Sequence, residues 1–175
     1  VSAEIGQLVN GHLIEINEKL EYVPSLATDV PTIENGGVSK DGLRYTFKLR
    51  KGVKWHDGQP FTAADVAFTH SVLLNPAVDV RGRVGWNKVA KVETPDDATV
   101  VFQFSSIDAP FLDRVAALRM LPMQILGSIP EGEIKTHKWF RAPVGLGPFV
   151  FKEWVPGSHL VLDRNPNYWK PGRPY

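Results

Sequence analysis

Apolar and polar residues alternate most plainly at Leu43, Tyr45, Phe47 and Leu49, set against Arg44, Thr46, Lys48 and Arg50. A period of two puts the first set on one face of a strand and the second on the other. A half-buried strand is therefore predicted, entered through the tight turn Lys40-Asp41-Gly42 and extended past Gly52 by Val53-Lys54-Trp55. The pattern then changes. His56-Asp57-Gly58 reads as a turn, and Thr62 and Asp65 have the spacing of a capping box. A helix over Ala63–Leu74 follows, burying Val66, Ala67, Val72 and Leu73, and Asn75-Pro76 stops it.

The flanking stretches extend this picture. Ser2–Ile14 is predicted as a helix capped by Ser2, with Ile5, Leu8, Val9 and Leu13 as its apolar stripe and Gly11 weakening its end. Tyr22–Pro31 is extended and broken by prolines. Arg81-Gly82-Arg83-Val84-Gly85-Trp86 is a loop. Val89–Glu93 and Thr99–Phe104 form a hairpin across Pro95-Asp96-Asp97, with Val100, Phe102 and Phe104 on one face. A short helix covers Ala109–Ala117, Leu118–Gly127 is ambiguous, and Glu131–Lys138 reads as surface loop. After the Gly145-Leu146-Gly147-Pro148 punctuation, Phe149–Trp154 and His159–Asp163 form a second hairpin around Pro156-Gly157. This order of elements predicts an α+β class, a mixed sheet with flanking helices.

Composition narrows the chemistry. At 175 residues the chain is one domain, or one and a fraction, and its 43% hydrophobic and 22% charged residues are ordinary for a globular protein. The formal net charge is +1 and the basic residues are scattered, which argues against a nucleic-acid partner. With no cysteine, disulfides, thiolate metal sites and cysteine nucleophiles are excluded. No apolar run approaches the ~20 residues that cross a bilayer, and Val1 opens the chain with no signal-peptide pattern, as an excised piece would. None of His12, His56, His70, His137 and His159 has zinc-ligand spacing. A nucleophile elbow and a phosphate loop are missing too, so no cofactor or metal is expected. A hydrolase built on His56 and Asp57 would need a third orienting group and a nucleophile, and neither is visible; Asp96-Asp97 reads as turn chemistry rather than a catalytic pair.

The string YTFKLRKGVKWHDGQPFTAADVAFTHSVLL at Tyr45–Leu74 resembles the signature of the extracellular solute-binding protein family that serves peptide, dipeptide and nickel importers. VGLGPFVFKEWVPGSHLVLDRNPNYW at Val144–Trp169 resembles the same family's second marker, and PSLATD at Pro24–Asp29 fits in order and spacing. The resemblance implies a non-enzymatic binding module: a partial lobe of a periplasmic-binding-protein-like two-lobed fold, in which residues 1–142 are a small accessory domain and residues 143–175 begin the main domain of the first lobe. It further implies a peptide or other small solute as ligand, with nickel chelate or oligosaccharide as alternatives. The partner would be the membrane permease of an ATP-driven importer, and the location periplasmic or lipid-anchored outside the membrane. An unsupported hairpin edge could also pair two copies of the chain.

The same resemblance supplies candidate ligand residues. Arg83 and Trp86 sit three apart in a loop, and an Arg-x-x-Trp near this place, with an arginine matching Arg119, grips a carboxylated chelate in nickel-importer members. Gly145 and Gly147 permit close backbone approach near the cleft. Leu146 stands where the family has threonine, so no side-chain hydrogen bond is carried over there, and Pro122-Met123-Gln124 departs from a common Pro-Lys-His, so Gln124 takes no role. Trp55 and Asp57-Gly58 read as an apolar plug and a turn, scaffold rather than ligand contact.

Overall fold

The computed structural model describes residues 3–78 and 83–174. In chain order its elements are α1 (Ala3–Val9), β1 (Ile14–Ile16), β2 (Tyr22–Pro24), β3 (Arg44–Lys48), α2 (Ala63–Leu74), β4 (Val89–Asp96), β5 (Thr99–Phe104), α3 (Phe111–Ala117), α4 (Met123–Leu126), β6 (Phe149–Val155) and β7 (His159–Arg164). The α+β class is present. Its strands are divided among three antiparallel sheets, β1–β2, β3–β5–β4 and β6–β7, rather than gathered into one mixed sheet. The tight turns after β4 and β6 return each strand onto its neighbour, which dictates antiparallel pairing.

The alternation that marks β3 places Tyr45 and Phe47 inside, and Val100, Phe102 and Phe104 of β5 join them. Phe111 of α3 closes this cluster edge-to-face, with ring centroids 4.8 Å from Tyr45 and 4.6 Å from Phe104. Each such ring contributes about 1.5–3 kcal/mol by burial, and edge-to-face pairs add about 0.5–1.5 kcal/mol each. Asp96 makes the β4–β5 turn: its carboxylate accepts from the Ala98 N–H at 2.8 Å and the Thr99 hydroxyl at 2.8 Å.

Helix α2 has the predicted limits and its capping box. Its inward face is more polar than the pattern suggests. Asp65, Thr69 and His70 are buried with Val66, Val72 and Leu73, while Ala67 is only half-buried. Asp65 is the knot of this region. Its carboxylate accepts from the Thr62 N–H at 2.9 Å, the Met123 N–H at 3.1 Å and the Trp55 indole at 3.4 Å. One side chain thus ties the helix start, the Trp55 plug and α4 together. Burial pushes its carboxyl above the usual carboxylate value, against the pull of these donors.

Three expectations change. The first helix stops at Val9, and Ile14 already belongs to β1, paired with Pro24; the predicted Ser2 cap and the Arg81-Gly82 loop start lie outside the described residues. Gly52, at φ +76°, turns the chain, so Val53–Trp55 leaves β3 instead of extending it. Glu131–Lys138 is mostly 3₁₀-helical and is anchored by Ile134, which packs on Val72 and Val78.

Replacing Asp65 with alanine leaves the part-buried Thr62 and Met123 N–H groups and the buried Trp55 indole N–H without their acceptor. Asp65→Ala is expected to lower unfolding stability by about 3 kcal/mol, read from the urea midpoint.

Candidate functional site

Arg83 is placed as a helix-end clasp. Its guanidinium donates to the carbonyls of Leu73 in the last turn of α2 (3.0 Å), of the cap residue Asn75 (2.6 Å) and of Val78 in the turn beyond (2.5 Å). Trp86 is 3% exposed and packs against His70, Phe102 and Phe111. Gly85, at φ +89°, lies under the Arg114 guanidinium, and Arg114 pairs with the buried Asp108, which also bonds Lys88 at 3.1 Å. Arg83, Gly85, Trp86 and Lys88 are thus each tied to a neighbouring element, while Val84 is exposed.

Arg119 lies elsewhere. It lines a cavity of about 560 Å³ together with Asn10, His12, Glu15, Leu146 and Tyr168, and neither Arg83 nor Trp86 reaches this cavity. The Arg119 guanidinium rests on Gly6, where a Cβ would meet it at 2.6 Å. Glu15 accepts from the Ser25 hydroxyl at 2.6 Å, and Tyr22 donates to Asp113 at 2.6 Å across the β2–α3 gap, a bond that pushes the phenol up to about 12. Burial likewise raises Tyr168 to about 12. Asn10 is 8% exposed, and its side-chain carbonyl oxygen has no protein partner. The cavity thus offers a cation, an anion, a neutral amide and an aromatic wall.

Gly145 and Gly147 are set behind this cavity, while Leu146 and Pro148 line it. A Cβ on Gly145 would collide with the Val9 carbonyl, and one on Gly147 with those of Leu8 and Val9. The Gly147 N–H donates to the Val9 carbonyl at 2.8 Å. His56 holds the same segment from the other side: the Gly145 N–H donates to His56 Nδ1 at 3.1 Å, His56 Nε2 lies 3.0 Å from the Gly147 carbonyl, and the His56 N–H donates to the Gly145 carbonyl at 2.9 Å. Leu146, between the glycines, is 1% exposed and sits in the main core.

The sequence model of the bacterial extracellular solute-binding proteins, family 5 Middle, matches residues 21–175. The chain belongs to this family. It is 35% identical over 99% of its length to the oligopeptide-binding protein AppA of Bacillus subtilis, of which it covers 31%. The structure of that AppA in complex with a nonapeptide superposes with a TM-score of 0.87, at 32% identity over 95% of this chain and 32% of AppA. NikZ from Campylobacter jejuni, in complex with Ni(L-His), gives a TM-score of 0.83 at 29% identity, over 93% of this chain and 31% of NikZ. The mannohexaose-bound periplasmic oligopeptide-binding protein of Thermotoga maritima gives 0.79 at 27% identity, over 93% of this chain and 29% of that one. The chain thus spans about a third of the length of the relatives it matches. In this family member no group of three or more His, Asp or Glu residues able to hold a metal ion occurs among the described residues.

Asn10, His12, Glu15 and Tyr168 escape a motif search because they come from separate segments that only the fold assembles. The usable signal is the Ile14-Glu15-Ile16 alternation at the end of the predicted Ser2–Ile14 helix. The sequence marks His56 as a turn residue, and its second role as the bond to Gly145 and Gly147 needs contacts 89 and 91 residues away in sequence.

His12, His56 and His70 all have pKa values lowered from the ordinary 6.5, in each case chiefly because burial disfavours the imidazolium. Below 6.5 the unfolded chain takes up protons that the folded chain resists, so stability falls as pH drops from 6.5 toward the depressed values and is constant with respect to these groups above 6.5. Asp65, raised above its ordinary 3.8, works in the opposite sense at lower pH. Urea midpoints compared at about pH 7.5 and pH 5.5 are expected to be lower at the acid value; equal midpoints would contradict the burial of neutral histidines.

Proposed function

We propose that this chain supplies part of the solute-holding surface of an importer's peptide-binding protein, acting outside the cytoplasmic membrane and delivering its ligand to a membrane permease. The observation that carries this is the cavity beside Arg119. Its guanidinium is suited to a peptide carboxylate, Asn10 and Glu15 to N–H donors, and Tyr168 and Trp169 to the covering of side chains. Peptides of varied sequence would be held by main-chain hydrogen bonds and charged groups, with water filling the side-chain spaces. Closure of two lobes around the ligand would complete the site, residues 1–142 and 143–175 contributing to the first of them. The similarity to NikZ and to the Thermotoga protein supports a second reading within the family, a nickel chelate or an oligosaccharide in the same place. Binding rather than catalysis is favoured because the named relatives are binding proteins.

Calorimetry with a mixed library of short peptides tests this. The 175-residue chain by itself is expected to bind weakly or not at all, because it supplies one side of the grip. In a protein of full family length that carries this sequence, Arg119→Ala is expected to weaken peptide binding by about ten- to a hundredfold, the value of a hydrogen bond to a charged group. Unchanged affinity would remove Arg119 from the site.

A further inference from the structure

We propose that His56 is the positioning residue of the cavity wall Gly145–Pro148, holding Leu146 in place through both of its ring nitrogens; this rests on the cavity being the solute-facing surface. The geometry defines the tautomer. Nδ1 must be the acceptor for the Gly145 N–H, so the ring proton sits on Nε2 and is donated to the Gly147 carbonyl. The two bonds flank Leu146, which lines the cavity with its neighbour Pro148. No side chain of the wall itself can do this work. The close packing on Val9 admits only glycine at 145 and 147, and Leu146 has no polar atom. The Gly147 carbonyl accepts a second bond from Asn165 at 3.0 Å, so the tail is fastened to the same point.

Protonation breaks this arrangement in a defined way. An imidazolium has two N–H groups, and the new one at Nδ1 would face the Gly145 N–H, donor against donor. Asp57 is the charged group that acts on the ring; Gly145–Pro148, Val9 and Asn165, on the segments bonded around it, bring no titrating side chain. His12 lines the cavity itself, its pKa lowered chiefly by burial, with Glu15 and Arg119 acting on it too, and must be told apart. A glutamine can replace the neutral ring, because its amide carries one acceptor and one donor side by side and does not protonate.

The test is amide hydrogen exchange and methyl NMR on the 175-residue chain, with protection factors corrected for intrinsic exchange. Above the titration of His56, its ring nitrogens are expected to report the Nε2–H tautomer. As pH falls through that titration, Gly145 protection is expected to drop about tenfold, the loss of roughly one hydrogen bond, and the Leu146 methyl signals to shift with the same midpoint. His56→Gln should keep Gly145 protected and abolish the step, and His56→Phe should lose protection at every pH. Should the phenylalanine variant not fold, the wild-type titration and His56→Gln still decide. The proposal is overturned if His56 titrates while Gly145 and Leu146 stay unchanged, if the glutamine variant loses as much protection as the phenylalanine one, or if the step survives in His56→Gln and so belongs to His12. Failure of the solute-binding reading would show instead as peptide affinity indifferent to Arg119, with this exchange pattern intact.

Discussion

The approach of the Gly145–Gly147 backbone to the end of α1 is the constraint on which the rest of the structure depends. Carbonyls at Leu8 and Val9 occupy the space that a side chain would need, so the chain must be glycine at both positions. That intimacy brings residues far apart in sequence into one hydrogen-bonded knot, with Val9, His56 and Asn165 all fastened to the same short segment. It also seats Leu146 in the main core, so the late part of the chain is packed into the early part rather than merely following it. The cavity exists because α1, β1 and this segment meet at a fixed spacing, with Gly11 keeping Leu26 and Leu146 at the distance a methyl group would close.

A second knot supports the first. Buried Asp65 bonds three donors from three segments, and buried Asp108 gathers Lys88 and Arg114 beside the aromatic cluster. Buried carboxylates are costly unless fully partnered, and both are partnered by groups that also position loops. The Asp65 knot holds the corner from which His56 reaches out; the Asp108 knot ties Lys88 to α3 through Arg114.

What was legible in the sequence was whatever depends on local pattern. Tyr45 and Phe47 announce their burial by a period of two, Thr62 and Asp65 announce the start of α2, and Pro156-Gly157 announces the last hairpin. Long signature strings sufficed to identify the family. Site geometry was less legible, because motif spacing says nothing about which way a loop faces. Arg83 and Trp86 carry the residue types of a ligand grip, yet the carbonyls at and just beyond the end of α2 take the arginine and the aromatic core takes the tryptophan. Arg119 carries no local signal beyond the resemblance, and it is the one that opens on the cavity. The apolar neighbours of Ile14 fit a 3.6 period and predict helix, while its strand pairing with Pro24 prevails. His56 sits in a turn and also bonds outward, and only the second property matters for the wall.

The β6–β7 ribbon has half-buried and exposed side chains but no fully buried one, and Trp154 and Val155 at its end are 40% and 37% exposed. Ordering each of its residues costs roughly 1–2 kcal/mol of chain entropy, and two strands alone recover little of that. Opening the ribbon therefore uncovers no fully buried side chain, the property of segments that open locally and admit a protease. Its root is another matter: Asn165, just past β7, is bonded to the same carbonyl that His56 holds, so fraying would run from the Pro156-Gly157 tip inward and halt there.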